Sequence, residues 1–319
     1  MERVEQVLKL GTRASALALT QSRGIAKLLE KTHPGLRVEL VEISTTGDQV
    51  RNVALKSFGG AGVFVKELEL ALSDRRVDIA VHSLKDVPTK QPRGLLLGAI
   101  VGREDPRDVA ITRGALKLKD LPAGSVIGSG SERRRAQLIL AYPGLTFADI
   151  RGNVETRIKK VNEGHYAGTI LARAGLKRLG MLNKATETLP LDDVLPAPGQ
   201  GALGIECRTS DARACALLAQ IHNADVALCV NVERELLALL GGGCNLPLGA
   251  LGIVEGRALR LQAFLGLADG TRSVAVDERI TRTAKSDPVA LARALAKQAK
   301  SAMMELGGRV ILKKIMSGS

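Results

Sequence analysis

The sequence predicts an α/β protein with doubly wound sheets and a smaller C-terminal α+β region that carries an antiparallel sheet. Strand and helix signals alternate through the first third, and the alternation restarts after the charged, proline-containing segment 103–108. Such repetition is typical of parallel sheets with right-handed crossovers. Beyond residue 249 the signals change to short strands around an Asp-Gly turn, which favours an antiparallel meander.

Five elements are predicted in the first third. Short β-rich or alternating runs predict strands over 8–12, 37–44 and 77–83. Apolar residues three and four positions apart predict helices over 16–33 and 63–76.

The same order returns in the middle of the chain. Strands are predicted over 125–130, 145–152 and 167–175, with helices over 132–142 and 154–164. Each predicted strand leads into a turn that contains glycine or basic residues.

The last third begins with two predicted helices, over 212–221 and 224–240, and the second of these is broken by three consecutive glycines. The meander covers 249–279, and a final helix is predicted over 290–306.

Composition indicates a basic protein that has few aromatic residues. The chain has 319 residues, with 46 Lys and Arg against 33 Asp and Glu, so its formal charge is +13. A basic surface favours an anionic partner. Proteins that bind single-stranded nucleic acid usually stack bases on aromatic side chains, and aromatics are only 2% here. The composition therefore favours a smaller anion, such as a polycarboxylate or a phosphate, over a nucleic acid.

The sequence also favours a cytoplasmic protein. The most apolar stretch, 95–101, is much shorter than the ~20 residues of a membrane-spanning helix, and the N-terminal segment has no signal-peptide core. Four cysteines without a CxxC pair do not form a disulfide framework in a chain of this length. We expect no metal, because no His or Cys lies at ligand spacing.

The positive charge is concentrated in one segment. Between Ser131 and Arg178 lie ten basic and four acidic residues, a net +6. Arg133-Arg134, Arg151 and Lys177-Arg178 each follow a predicted strand, where a doubly wound sheet places its ligand crevice. Arginine recognises carboxylate or phosphate through two parallel hydrogen bonds. The alternative is that these residues lie on solvated helix faces.

The segment HSLKDVP (82–88) follows another predicted strand. Asp86 beside Lys85 suits a general acid–base pair or a group that stabilises a cation. A capping aspartate in a tight turn is an equally valid interpretation, and His82 fits a packing role.

Cys244 differs from the other cysteines because it lies in the glycine-rich segment GGGCNLP. Glycines leave room for another group close to the thiol, which suits a nucleophilic or covalently modified cysteine. We expect Cys207, Cys215 and Cys229 to be inert packing residues.

Motifs spread over residues 8–255 together resemble one enzyme family. They are GTRASALALTQ, STTGD, GVFVKELE, DIAVHSLKDVPT, REDPRD, LPAGSVIGSGSERRRAQL, RGNVETR, ILARAGLKRLG, LPAPGQGALGIECR and GGGCNLPLGA, in that order. In this set and order the chain resembles the porphobilinogen deaminase (hydroxymethylbilane synthase) family. The resemblance implies a transferase of tetrapyrrole (heme) biosynthesis that joins four porphobilinogens head to tail into linear hydroxymethylbilane and releases ammonia at each addition.

The resemblance also implies a covalent dipyrromethane cofactor, held by a thioether to Cys244. Asp86 would contact pyrrole NH groups and stabilise the azafulvenium cation formed as ammonia leaves. The cofactor-binding residues implied are Lys85, Asp86, Ser129, Ser131, Arg133, Arg134 and Arg151. The substrate-binding residues implied are Arg13, Ser15, Arg157 and Arg178.

The implied fold has two periplasmic-binding-protein-like domains and a smaller α+β domain that bears the cofactor loop. We place the first domain at 1–102 with 201–220, the second at 103–200 and the third at 221–319. The expected state is a monomer that acts on porphobilinogen and binds neither nucleic acid nor membrane.

Three departures from the family pattern lie near these motifs. Ala61 stands where many members have Lys, Lys56 and Ser57 are in exchanged order, and Glu132 replaces an apolar residue beside Arg133. Two other function classes fit the composition: a non-catalytic anion-binding protein on the same scaffold, and a nucleic-acid binder. A covalent adduct on Cys244 would separate the enzyme from the first, and steeply salt-dependent DNA binding would favour the second.

Overall fold

The computed structural model describes residues 6–44, 65–242, 246–283 and 285–317. The chain forms two compact units. One runs to Glu104 and includes Gly201–Ala227, and the other joins Asp105–Gln200 to the chain from Leu228 onward. The predicted division into three domains remains a prediction.

The described residues contain thirteen strands and nine α-helices. The strands are β1 (Gln6–Thr12), β2 (Leu36–Glu42), β3 (Ile79–Ser83), β4 (Leu95–Arg103), β5 (Asp108–Thr112), β6 (Val126–Gly128), β7 (Thr146–Ala148), β8 (Gly168–Ala172), β9 (Glu187–Thr188), β10 (Ala202–Arg208), β11 (Leu248–Glu255), β12 (Ala258–Gly266) and β13 (Ser273–Thr281). The helices are α1 (Ala16–Thr32), α2 (Lys66–Ser73), α3 (Glu132–Ala141), α4 (Val154–Asn162), α5 (Arg173–Arg178), α6 (Ala212–Ala219), α7 (Ala224–Leu239), α8 (Pro288–Met303) and α9 (Arg309–Ser317).

Two five-stranded sheets have the same topology. The strand order is β2-β1-β3-β10-β4 in the first unit and β7-β6-β8-β5-β9 in the second. In each sheet the first three strands are parallel, and the fourth runs antiparallel to both of its neighbours. That fourth strand, β10 or β5, is the one with which the chain enters the unit from the other unit. The predicted doubly wound α/β class is confirmed.

The third sheet is the predicted antiparallel meander, β11-β12-β13. Helix α8 covers it. Its apolar residues recur every fourth position at Leu291, Leu295, Ala299 and Met303, and all four are buried in one cluster with the sheet. Asp287 caps the helix start by accepting hydrogen bonds from the two backbone N–H groups of Val289 and Ala290.

In the first unit α1 packs against the parallel strands. Ile25 and Leu29 of the helix lie in one buried cluster with Leu8 and Leu10 of β1. Leu8 and Leu10 lie on the same face of β1 because side chains alternate along a strand, and Lys9 between them is exposed. This packing fixes the carboxyl end of β1 relative to the start of α1.

Some predicted boundaries are wrong. The strand predicted over 145–152 is only Thr146–Ala148, and the strand predicted over 167–175 ends at Ala172. The six residues of α5 follow at once, so Lys177 and Arg178 lie at the end of a helix and not in a turn. A helix of six residues is too short to display apolar periodicity, and the strand is therefore predicted to extend into residues that form α5.

No single helix among the described residues is long and apolar enough to cross a bilayer. Ala212–Ala219 and Ala224–Leu239 meet the length and composition criteria only as a pair, which is bent by 108°.

Candidate active site

Four of the predicted site residues follow the carboxyl ends of two neighbouring parallel strands in the first unit. Arg13 and Ser15 follow β1, and Lys85 and Asp86 follow β3, which pairs with β1. Ser15 begins α1, where its side chain accepts a hydrogen bond from the Ala18 N–H at 3.3 Å. In open α/β sheets this edge is where ligands bind.

Asp86 ends a single 3-10 turn, Leu84–Asp86, whose first residue is fully buried. Leu84 anchors the turn, and the carboxylate of Asp86 projects from it into solvent. Among the described residues the Asp86 carboxylate has no hydrogen bond or ion pair, and the turn has no side-chain cap. The capping interpretation therefore lacks support, and the carboxylate is available to a ligand.

Hydrogen bonds join α1 to the ends of both strands. The Gln21 side-chain amide donates to the Ser83 hydroxyl at 2.9 Å, directly before the turn. The Ser22 hydroxyl donates to the Thr12 hydroxyl at 2.7 Å, at the end of β1. These contacts hold the ends of β1 and β3 against the same helix.

His82 lies buried beneath this turn and faces a carboxylate that sequence reasoning missed. Its Nε2 atom is 3.3 Å from an Oε atom of Glu206 on β10, and both side chains are buried. Neither oxygen of Glu206 accepts a hydrogen bond from any residue that the structure describes. The pKa of nearby Glu69 is raised by burial and by the negative charge of Glu206. His82 lowers the same pKa, but by less. The sequence does not reveal the contact between His82 and Glu206, because β3 and β10 are far apart in the chain.

In the second unit Ser129 and Ser131 shape the turn between β6 and α3. Ser129 is buried, and its hydroxyl accepts from the Ser131 N–H at 3.3 Å. Ser131 caps α3 and accepts from the Arg134 N–H at 3.4 Å. The start of α3 thus repeats the arrangement of Ser15 at α1, on the corresponding strand of the second sheet.

Arg133 and Arg134 are buried and share one carboxylate. Each guanidinium lies 2.8 Å from a different oxygen of Asp108, at the start of β5. Burial alone would raise the pKa of Asp108, but the charges and hydrogen bonds of the two arginines outweigh it and hold that pKa well below its usual range. Gln200 donates to the same carboxylate at 2.9 Å. Sequence reasoning assigned Asp108 only to a charged connecting segment.

Because Arg133 and Arg134 share the single negative charge of Asp108, the three side chains together carry one net positive charge. Arg133 also donates to the Leu195 carbonyl at 2.6 Å, and Arg134 donates to the Ile170 carbonyl at 2.9 Å. The Nε atom of Arg134 is buried and has no hydrogen-bond partner in the described part of the chain. A buried N–H group without a hydrogen-bond acceptor lowers the stability of the fold, and a ligand that accepts from it removes this cost.

Arg157, on α4, lies close to two further guanidinium groups. Burial and then the positive charges of Arg134 and Arg151 lower its pKa to about 10. Its Nε donates to the Gly152 carbonyl at 2.8 Å, which holds the side chain in place. Arg151 pairs with Asp149 at 3.1 Å and Arg134 shares Asp108 with Arg133, whereas Arg157 has no carboxylate partner among the described residues. Arg134, Arg151 and Arg157, which we name the guanidinium cluster, repel one another and suit a carboxylate-rich ligand.

The structure leaves several predicted residues outside this cluster. Arg178 ends α5 and is partly buried. Glu132 lies in the first turn of α3, where a negative charge interacts favourably with the helix dipole. Cys244, Lys56, Ser57 and Ala61 lie outside the described residues.

The helix that leads to the Cys244 segment is firmly held. Glu233 of α7 is fully buried, and its two oxygens accept from the N–H groups of Gly199 and Gly252 at 2.7 Å each. One side chain thus fixes α7 to the LPAPGQG segment and to β11. Within the described ranges no group of three His, Cys, Asp or Glu residues could hold a metal ion.

Two family models match the chain. Residues 8–216 match porphobilinogen deaminase, dipyrromethane cofactor binding domain. Residues 227–301 match porphobilinogen deaminase, C-terminal domain. The guanidinium cluster and the buried, unpartnered Nε of Arg134 fit a cofactor that carries carboxylates.

More distant likenesses exist among solved structures. The VFT2 domain of Bordetella pertussis BvgS is 16% identical, with a TM-score of 0.41, over 69% of this chain and 90% of that chain. The effector-binding domain of BenM with benzoate is 17% identical, with a TM-score of 0.39, over 75% of this chain and 96% of that chain.

Curated relatives match the chain over nearly its whole length. The porphobilinogen deaminase of Acidithiobacillus ferrooxidans is 47% identical over 91% of this chain and 93% of its own. That of Syntrophobacter fumaroxidans is 43% identical over 98% of both chains, and that of Geobacter metallireducens is 50% identical over 84% of both. This chain belongs to the porphobilinogen deaminase family.

Proposed function

We propose that this chain joins four porphobilinogen molecules head to tail into linear hydroxymethylbilane and releases one ammonia at each addition. The reaction class is that of its family. The observation that carries the proposal is the guanidinium cluster, in which Arg134, Arg151 and Arg157 have too few carboxylates to balance their charge.

Charge matching supports this substrate. Every pyrrole ring of porphobilinogen carries an acetate and a propionate, so a growing chain gains carboxylates with each addition. Arginines in fixed positions can bind them through paired hydrogen bonds. Arg13 and Ser15 at the start of α1, and Arg178 at the end of α5, are each assigned to substrate carboxylates.

Asp86 is assigned the catalytic role. When ammonia leaves porphobilinogen, positive charge develops on the substrate's ring system. The Asp86 carboxylate lies on a turn anchored by Leu84 and has no partner among the described residues. A charge held in place before the reaction needs no reorganisation as the cation forms, and such preorganisation is often the largest catalytic contribution. Lys85, beside it, is assigned to a cofactor carboxylate.

The chain's own residues would hold dipyrromethane as follows. Cys244 is assigned the thioether bond, Asp86 the pyrrole NH groups, and the remaining polar contacts fall to Lys85, Ser129, Ser131, Arg133, Arg134 and Arg151. When bound, dipyrromethane supplies the primer to which the first substrate is joined. Because Asp108 already occupies Arg133 and part of Arg134, the free Nε of Arg134 is the donor we assign to a cofactor carboxylate.

We further propose a monomeric cytoplasmic enzyme that binds neither nucleic acid nor membrane. Three domains, at 1–102 with 201–220, 103–200 and 221–319, complete the assignment. The small content of aromatic residues and the charge concentrated around the cluster favour a polycarboxylate ligand over a nucleic acid.

The test is the stoichiometry of the reaction. Purified protein is incubated with porphobilinogen, and ammonia and tetrapyrrole product are both quantified. We expect four ammonia molecules for each linear tetrapyrrole. Binding of porphobilinogen without release of ammonia would instead identify a non-catalytic anion-binding protein.

A further inference from the structure

Two cysteines outside the proposed active site lie in contact within the first unit. Cys207, on β10, and Cys215, in the first turn of α6, have their sulfur atoms 3.8 Å apart. Both are free thiols. Only a short turn separates the strand from the helix, so the two residues are also close along the chain.

The surroundings of the two thiols differ. Cys207 is fully buried and its sulfur packs against Gly98, where an added Cβ would lie only 2.9 Å away. Cys215 is partly exposed, and its thiol donates to the Arg208 carbonyl at 3.8 Å. Burial, followed by the influence of Cys215, raises the pKa of Cys207 to about 12. A reagent from solvent therefore meets Cys215 first, because the thiolate is the reactive form and access is needed.

The turn between the two elements is held by polar contacts. Asp211 caps α6 by accepting from the Ala214 N–H at 2.9 Å, and it also pairs with Arg208 at 2.6 Å. The first turn of α6 is thus kept against the end of β10. To bond, the sulfurs must approach by less than ~2 Å, since a disulfide measures about 2.05 Å.

We propose that Cys207 and Cys215 form a reversible redox site that closes to a disulfide when a peroxide oxidises the protein. The sequence alone indicated two inert packing residues, because it could not show that strand and helix bring the sulfurs into contact. The site is independent of the dipyrromethane thioether assigned to Cys244.

The chemistry takes two steps. The Cys215 thiolate attacks the peroxide, an S–O bond forms, the O–O bond breaks, and the leaving hydroxide is protonated to water. The Cys207 sulfur then attacks the Cys215 sulfur, the S–S bond forms, the S–O bond breaks, and the departing hydroxide takes the Cys207 proton. Two thiols and one hydrogen peroxide give one disulfide and two waters. A dithiol reductant reverses the step.

The test uses the intact holoenzyme and hydrogen peroxide. After a brief exposure, remaining thiols are alkylated under denaturing conditions, and the protein is digested with trypsin. Cleavage at Lys184, Arg208, Arg213 and Arg234 places Cys207 in peptide 185–208 and Cys215 in peptide 214–234. We expect these two peptides to be joined, lighter than their sum by two hydrogen atoms, and separated again by dithiothreitol.

Cys229 provides the matched control, because it lies in the same tryptic peptide as Cys215. We expect C229S to form the link as the parent does and C215S to lose it. The proposal is overturned if Cys207 and Cys215 remain alkylatable or over-oxidise without forming a link. It is also overturned if the link persists in C215S, since Cys207 would then pair with Cys229.

Discussion

Asp86 and Asp108 are carboxylates in similar α/β sheets, yet their surroundings give them opposite roles. Asp86 is exposed on a short turn and has no partner among the described residues. Asp108 is fully buried and receives hydrogen bonds from Arg133, Arg134 and Gln200. Asp86 can stabilise a positive charge that develops on a substrate during a reaction. Asp108 instead neutralises the permanent charges of the two buried arginines.

Replacing Asp86 by Asn should retain the covalent cofactor but lower kcat by about 10²–10³-fold, because the fixed counter-charge is lost. The chain provides a close control. Leu118–Asp120 is a second Leu-Lys-Asp 3-10 turn, also with a buried leucine. The variant D120N should keep normal turnover in the same steady-state assay, and equal activity of D86N and D120N would refute the role of Asp86.

Replacing Asp108 by Asn should destabilise the fold by about 3–5 kcal/mol at pH 7, since two buried guanidiniums lose their carboxylate. The pKa of Asp108 is lower in the folded protein than in the unfolded chain, so its stabilisation is complete above the ordinary Asp pKa and is lost as pH falls toward the folded value. Urea denaturation at pH 7 and at acidic pH measures this. A difference between parent and D108N that does not shrink below about pH 4 would contradict the ion-pair account.

The sequence predicts those site residues whose placement can be deduced from the order of elements along the chain. Asp86, Ser131 and Arg151 follow strands, and that placement is visible in the chain order. Asp108 and Glu206 were not recognised, because their partners lie on elements far away in sequence. Burial and cross-strand contact, which make them important, appear only in the folded chain.

Helices that begin just after the strands supply the polar edge of each sheet. Ser15 begins α1 and Ser131 begins α3, each after the strand at the same position in its sheet. Helix α4 adds Arg157 to the second of these edges. Its side chain is held toward Arg134 and Arg151, whereas Lys159 on the same helix is exposed beside Glu163.

Changing Arg157 to Gln should lower kcat/KM for porphobilinogen about 10- to 100-fold, because a charge-assisted hydrogen bond to a substrate carboxylate is lost. Steady-state kinetics at several substrate concentrations measures this effect. K159Q is the control on the same helix and should behave as the parent. If R157Q and K159Q were equally active, the guanidinium cluster would not be the carboxylate site.

Periodicity predicted most elements because α1 and α8 are long enough to show an apolar face. It missed α5, which has six residues, and gave β7 too many residues. The apolar run at 95–101 is part of strand β4, for which the sequence predicts no element. A short, continuous apolar run cannot be assigned to a strand or to a buried helix by periodicity alone.

Across the whole molecule, the fourth strand of each five-stranded sheet is the one with which the chain enters from the other unit. β4 leads into β5, and β9 leads into β10. The Glu104 N–H on the first connection donates to the Gly201 carbonyl on the second at 3.2 Å. Such an order cannot be deduced from local patterns, since the strand that closes the first sheet lies about a hundred residues after its neighbours.

Gly201 is required at this point. Its φ is +91°, and an added Cβ would lie 2.3 Å from the Glu104 carbonyl oxygen. We expect G201A to lower the free energy of unfolding by about 1–3 kcal/mol. Gly180, at φ +69° with no atom near the Cβ position, is the control, and G180A should cost less. Thermal unfolding of both variants measures the difference, and equal destabilisation would argue against the close approach at Gly201.

We propose that this member of the porphobilinogen deaminase family carries its covalent dipyrromethane on Cys244. Intact-mass measurement of the purified, active protein tests it most directly. We predict a mass greater than that of the chain by one dipyrromethane, that is two pyrrole units, with the added mass absent in C244S. Active protein with the unmodified mass of the chain would contradict the account.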